Sequence, residues 1–259
     1  MALNYSDYLE LDKILDAQHP KSIDEHDETL FIVVHQVYEL WFKQILHEGA
    51  FLQKKLEEGD GYTSMATLKR MLTVLKTMVA QTDVIETMTP VSFSAFRDRL
   101  ETASGFQSGQ YRIFEFFLGN RNPKKIEIHM KGSQTRKILE EMVNKPTLYD
   151  SFLRYLRKCD VTIPDEVINR DFSKAYESNQ QVQASLIKIY QNDPALTQIC
   201  ESFVDLDEGI QEWRYRHVKM VERTIGNRMG TGGSSGVEFL KGTLFKPAFK
   251  DLWEIRTSL

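Results

Sequence analysis

From Thr29 to about Leu56, apolar residues recur at Leu30, Val34, Val37, Trp41 and Ile45, with Leu52 and Leu56 beyond. Steps of three and four place them on one face of a helix. Asp27 is expected to cap its start, and Glu39 and Lys43, four apart, to pair on its exposed side. A second long helix is predicted from about Ser64 to Met88, with Leu68, Leu72, Leu75 and Val79 inward. Thr89-Pro90 reads as cap plus first-turn proline of a short helix through Arg97. A further helix runs from about Phe106 to Leu118 and stops at Gly119-Asn120. "SQTRKILEEMV" and "PTLYDSFLRYLRKC" read as a helical hairpin. After a loop near Pro164 to Ser178 come helices from about Gln180 to Tyr190 and from Pro194 to Ile225, the last stopped by Gly226. "KKIEIHM" is the only stretch with strand-like alternation. There is no repeat, linker or composition break, so the pattern predicts one all-α domain over 1–259.

Composition narrows the class of partner. Apolar residues make up 41% of 259, enough for a large core. The net charge is −4 with signs well mixed, so neither nucleic acid nor another polyanion is an expected partner. No apolar run is long enough to span a bilayer, and "MALNYSDYLEL" has no basic-then-apolar order, so no secretory leader is expected. Cys159 and Cys200 form no CxxC pair. A reducing, cytoplasmic setting fits them and a disulfide framework does not.

Gly230 to Gly236 contains only glycine and serine apart from Thr231. A phosphate loop or dinucleotide turn needs a strand before it, and here a helix precedes. Two readings stay open: a flexible connection, or a loop whose bare N–H groups close around a small anionic or zwitterionic ligand. His217 shares an apolar helix face with Trp213, Met220, Val221 and Thr224. Such a histidine is either a hydrogen-bonded core residue or an axial haem ligand. None of the six histidines has zinc spacing. His35 lies on a face with Phe31, Tyr38 and Phe42 and is either core or pocket. Arg97, one turn after Phe93, is either a surface residue or a bidentate grip for a carboxylate.

Several stretches, in order from end to end, resemble the tryptophan 2,3-dioxygenase family. They are "YSDYLELDKILDAQHP", "HDETLFIVVHQVYELWFK", "ETMTPVSFSAFRDRL", "SGFQSGQYRIFEFFLGNRNP", "WRYRHVKMVERTIGNRMGTGGSSGVEFL" and the ending "LWEIRTSL". The resemblance implies a helical fold with a haem pocket between helices. It implies a b-type haem, ferrous for activity, with O2 as co-substrate. The reaction it implies is oxidative opening of the L-tryptophan indole ring to N-formyl-L-kynurenine, and the assembly a homotetramer, a dimer of dimers. Matched position by position, His217 is the axial ligand of the iron and His35 the partner of the indole N–H. Phe31 and Phe93 lie beside the substrate, Arg97 meets its carboxylate, and Thr231 meets its ammonium and carboxylate. Ser104 and Gly105 form a turn beside the haem, and Tyr5 and Tyr8, on an arm spanning 1–20, reach the neighbouring subunit's pocket. The chain departs from its relatives at Tyr38 and Phe42, where they carry smaller or aliphatic residues, and at Thr82, where some carry tryptophan. Two alternatives remain open: a haem monooxygenase of the same superfamily acting on a modified indole, and a haem-free helical ligand-binding protein.

Overall fold

The computed structural model describes residues 2–233 and 235–259, and among these every regular element is helical. Two short helices open the chain, α1 (Tyr5–Leu9) and α2 (Leu11–Leu15). Glu10 between them takes a left-handed φ of 51°, which separates the two helices. The frame is then laid by α3 (Asp27–Glu58) and α4 (Gly61–Ile85), which pack along each other. Asp27 lies in the first turn of α3, where a negative charge meets the helix dipole, and His26 holds the cap position. α4 starts three residues before the predicted Ser64 because the Asp60 side chain accepts from the Thr63 N–H. In α5 (Pro90–Arg97) the expected arrangement holds: Thr89 caps and Pro90 occupies the first turn.

The helix predicted from Phe106 is split. Gly105–Gln107 forms a 3-10 turn, and Ser108 then caps α6 (Gly109–Phe117) by accepting from the Tyr111 N–H at 3.1 Å. "KKIEIHM" is not a strand. Pro123 presets a 3-10 turn, and the chain continues through turns, with the Ile126 N–H bonded to Pro123 O and the His129 N–H to Ile126 O. Its alternation arises because Ile126 is buried beside Phe116 and Leu139 while Lys125 pairs with Glu115. α7 (Gln134–Met142) and α8 (Leu148–Lys158) do not pack as a hairpin: α7 lies on α6, and α8 on α3. α9 (Asp165–Ile168), α10 (Gln180–Asn192) and α11 (Pro194–Ile225) follow. α11 has Asp193 as cap, proline in its first turn and its stop at Gly226. α12 (Val237–Lys241) and α13 (Lys250–Glu254) follow, and a 3-10 turn over Ile255–Ser258 closes the chain.

α11 packs along α4, so three long helices share the main core through side chains such as Ile45, Leu52, Leu75, Phe203 and Ile210. Burying each contributes about 1.5–3 kcal/mol. A smaller apolar cluster of Val34, Ile85, Met88, Phe93 and Phe96 lies where α3, α4 and α5 meet. Between this cluster and α11 the packing opens into a cavity.

Candidate functional site

One face of α3 carries Phe31, His35, Tyr38 and Phe42 into a cavity of about 260 Å³. The His35 Nδ1–H donates to the Phe31 carbonyl at 2.7 Å, the two rings lie 4.1 Å apart, and Phe31 also meets Phe93 and Phe96 of α5. Burial lowers the pKa of His35, partly offset by that carbonyl. Tyr38 reaches across to α4, its hydroxyl donating to Met78 O at 2.8 Å and lying 3.1 Å from Thr82 Oγ1. The large residue at 38 therefore stands against the small one at 82. Glu39 also lines the cavity, its carbonyl accepting from Gln110, and no ion pair joins it to Lys43 among the described residues.

α11 supplies the other wall. His217 lines the cavity with Trp213, Met220, Val221 and Thr224, as its helical face requires. Burial, and secondarily the nearby His35, push its pKa down to about 4. The imidazole is neutral at pH 7, the form that binds a metal.

The described residues of the glycine run are packed in place. Thr231 Oγ1 donates to Ala103 O at 2.6 Å, and Arg97 Nη2 donates to Met229 O at 2.6 Å. A Cβ on Gly232 would lie 2.8 Å from that of Ser104, and Gly236 has a φ of 62°. Glycine is what lets the loop lie flat on the α5–α6 connection. Ser104, Gly105, Arg97, Phe93 and Thr231 all line the same cavity as the two histidines.

A polar end of the cavity escapes the sequence reading. Arg112, Lys125 and Arg214 line it together with Glu115. Glu115 bonds Arg112 and also Lys125, the latter at 2.8 Å. Among the described residues, the Nε groups of Arg112 and Arg214 are buried with no hydrogen-bond partner. Tyr111 stands among them with its pKa pushed up to about 12 by burial and by Glu115. The available signal was Arg112 and Glu115 three apart inside the aromatic run "YRIFEFF", where ordinary surface charge is out of place.

Tyr5 and Tyr8 are not brought to this cavity. They are 74% and 71% exposed, and neither α1 nor α2 buries a side chain. The chain is tied down only after them. Gln36 donates to Ala17 O at 2.9 Å and accepts from Gln18 at 2.7 Å, while buried Glu28 accepts from the N–H groups of Lys21 and Ser22.

Fold and cavity together define an all-helical protein with a cavity lined by an imidazole on each of two walls and by an arginine from a third helix. The tryptophan 2,3-dioxygenase family model matches residues 1–146 and 142–259. A protein of that name from Anaeromyxobacter sp. (strain K) is 53% identical over 258 residues, covering 100% of this chain and 97% of its own. Another, from Herpetosiphon aurantiacus, is 51% identical over 259 residues, covering 100% and 99%. One from Caulobacter vibrioides is 42% identical over 264 residues, covering 99% and 98%. The chain belongs to the tryptophan 2,3-dioxygenase family.

Proposed function

We propose that the cavity is the active site of a haem-dependent dioxygenase that opens the indole ring of L-tryptophan with O2, giving N-formyl-L-kynurenine. The observation that carries this reading is that His35, His217 and Arg97, from three different helices, line one apolar cavity in a chain of this family.

The donor set fits haem. Among the described residues no three His, Cys, Asp or Glu side chains cluster to hold a metal ion, so one imidazole suits an iron already chelated by a macrocycle. His217, neutral and on an apolar wall, would hold the iron. The three cations around Glu115, two of them with unpartnered Nε groups, suit the two carboxylates of a b-type haem. Ser104 and Gly105 would border it, Gly105 having open space where a Cβ would stand.

Ferrous haem supplies the activation of dioxygen when bound, and the protein supplies binding and orientation. With Nδ1–H committed to Phe31 O, His35 offers Nε2 as an acceptor for the indole N–H. It orients the ring without moving a proton, and Phe31 and Phe93 form the aromatic wall. A substrate carboxylate would take the place of the Met229 carbonyl on Arg97, and Thr231 would meet the ammonium and carboxylate from the loop. A bidentate Arg97–carboxylate pair contributes about 2–4 kcal/mol toward discrimination against amines that lack the carboxylate.

The whole chain, 1–259, acts as one haem-binding domain, with residues 1–20 as an arm. The exposed tyrosines support an arm that packs on a neighbouring subunit, within a homotetramer built as a dimer of dimers. Among the described residues no helix is long and apolar enough to cross a membrane. Two free cysteines suit a cytoplasmic setting. The test is reconstitution with haem. The wild type should develop a Soret band, and His217→Ala should lose it or shift it. An unchanged band in that variant contradicts the assignment.

A further inference from the structure

Trp213 stands one turn before His217 on α11, and its ring lies nearly parallel to the imidazole, 15° between planes and 5.5 Å between centroids. The indole is itself held from two other helices. Phe42 of α3 meets it edge-on at 5.5 Å and 89°, and Tyr111 of α6 meets it at 5.3 Å and 52°. Phe42 and Tyr111 also touch each other, with centroids 5.5 Å apart. Trp213 is 6% exposed, so this cluster has little freedom to repack.

An imidazole turns about its Cβ–Cγ bond in a broad well that does little to fix the ring plane. In a ligating histidine the plane is most often fixed by a hydrogen bond from the second ring nitrogen. Among the described residues His217 makes no hydrogen bond with another side chain or the main chain, whereas the parallel stack on Trp213 restricts the same rotation directly. We infer that Trp213 is a positioning residue for His217: the braced indole sets the imidazole plane and with it the direction of the ligating nitrogen. The inference rests on reading His217 as the axial ligand.

The experiment uses the full-length, haem-loaded protein in its ferrous form and compares wild type with Trp213→Leu, Trp213→Phe and His217→Ala. The readouts are the iron–histidine stretching band in resonance Raman spectra and the rate of haem transfer to an acceptor protein. Trp213→Leu keeps bulk but removes the flat surface. It should displace and broaden the band and speed haem loss about tenfold, the scale of a lost orienting partner. Trp213→Phe, which restores a flat ring, should recover most of both. A Trp213→Leu protein with the wild-type band and rate overturns the inference. Should that variant fail to accumulate as folded protein, Phe42→Leu reads the same stack from its other side. A broadened band there supports the inference and an unchanged one overturns it. Persistence of the band in His217→Ala overturns the ligand reading beneath it, and with it the inference.

Discussion

The Nδ1–H of His35 donates to the main-chain carbonyl of Phe31, one turn earlier on α3, at 2.7 Å. A carbonyl oxygen only accepts, so this bond settles the tautomer of a neutral ring and leaves Nε2 as a bare acceptor. An indole N–H is its natural complement. His35→Ala removes one neutral hydrogen bond of ~0.5–1.5 kcal/mol and should lower kcat/KM for L-tryptophan about three- to tenfold without abolishing turnover. 1-Methyl-L-tryptophan has no N–H to lose, so its kcat/KM should barely respond to the same change. Steady-state kinetics on the two substrates checks this, and equal losses count against the role.

The pH profile follows from the same residue. Burial lowers the pKa of His35, so the neutral acceptor persists below the ordinary histidine value of 6.5. As pH falls further, Nε2 gains a proton and can no longer accept. Activity on L-tryptophan should therefore have an acid limb below 6.5, and this group should cause no loss on the alkaline side. His35→Ala should lack that limb.

Arg97 tests recognition of the carboxylate. Lysine keeps the charge but loses the two-pronged geometry. Arg97→Lys should lower kcat/KM for L-tryptophan by about 10–100-fold, the cost of ~1.5–3 kcal/mol for a charged hydrogen bond. Tryptamine should be a poor substrate for the wild type. Comparable turnover of tryptamine and L-tryptophan by the wild type would remove the role given to Arg97.

The glycine loop offers a purely steric prediction. In Gly232→Ala the new methyl carbon would lie 2.8 Å from Ser104 Cβ and 3.0 Å from its Oγ, so the loop must lift from the α5–α6 connection. Thr231 would move with it. Haem content and Tm should stay near wild type while KM for L-tryptophan rises. An unchanged KM would show that the loop contact is dispensable.

Helix ends were legible at Thr89-Pro90, Pro194 and Gly226, where proline or glycine marks them, while the caps supplied by Asp60 and Ser108 were not. Elements decided by packing were not. Alternation in "KKIEIHM" has the period of a strand, but Ile126 is buried and Lys125 is held by Glu115, so a turn reproduces the pattern. Periodicity could place His35 and His217 on apolar faces without saying that those faces meet; that took the resemblance, and then the cavity. Beyond the Arg112–Glu115 pair in "YRIFEFF", the basic end was not legible because Arg112, Lys125 and Arg214 are separated in sequence and only the fold gathers them around Glu115.

The arm makes an assembly prediction. α1 and α2 bury nothing on their own subunit, so deleting Met1 to Lys13 should change stability by less than ~0.5 kcal/mol. Haem uptake should survive and activity should not. Mixing such subunits with Arg97→Ala subunits should restore part of it, because some pockets would then combine an intact arm with an intact arginine. If subunit exchange is demonstrated and no activity returns, the arm does not act on its neighbour.

The most direct test of the account loads the protein with haem, reduces it anaerobically, and adds L-tryptophan with dioxygen labelled in both atoms by heavy oxygen. Mass spectrometry of the product should find N-formyl-L-kynurenine with both labelled atoms, formed by the wild type and lost in His217→Ala. A product carrying one labelled oxygen on an intact indole, or no product from protein that has bound haem, would contradict it.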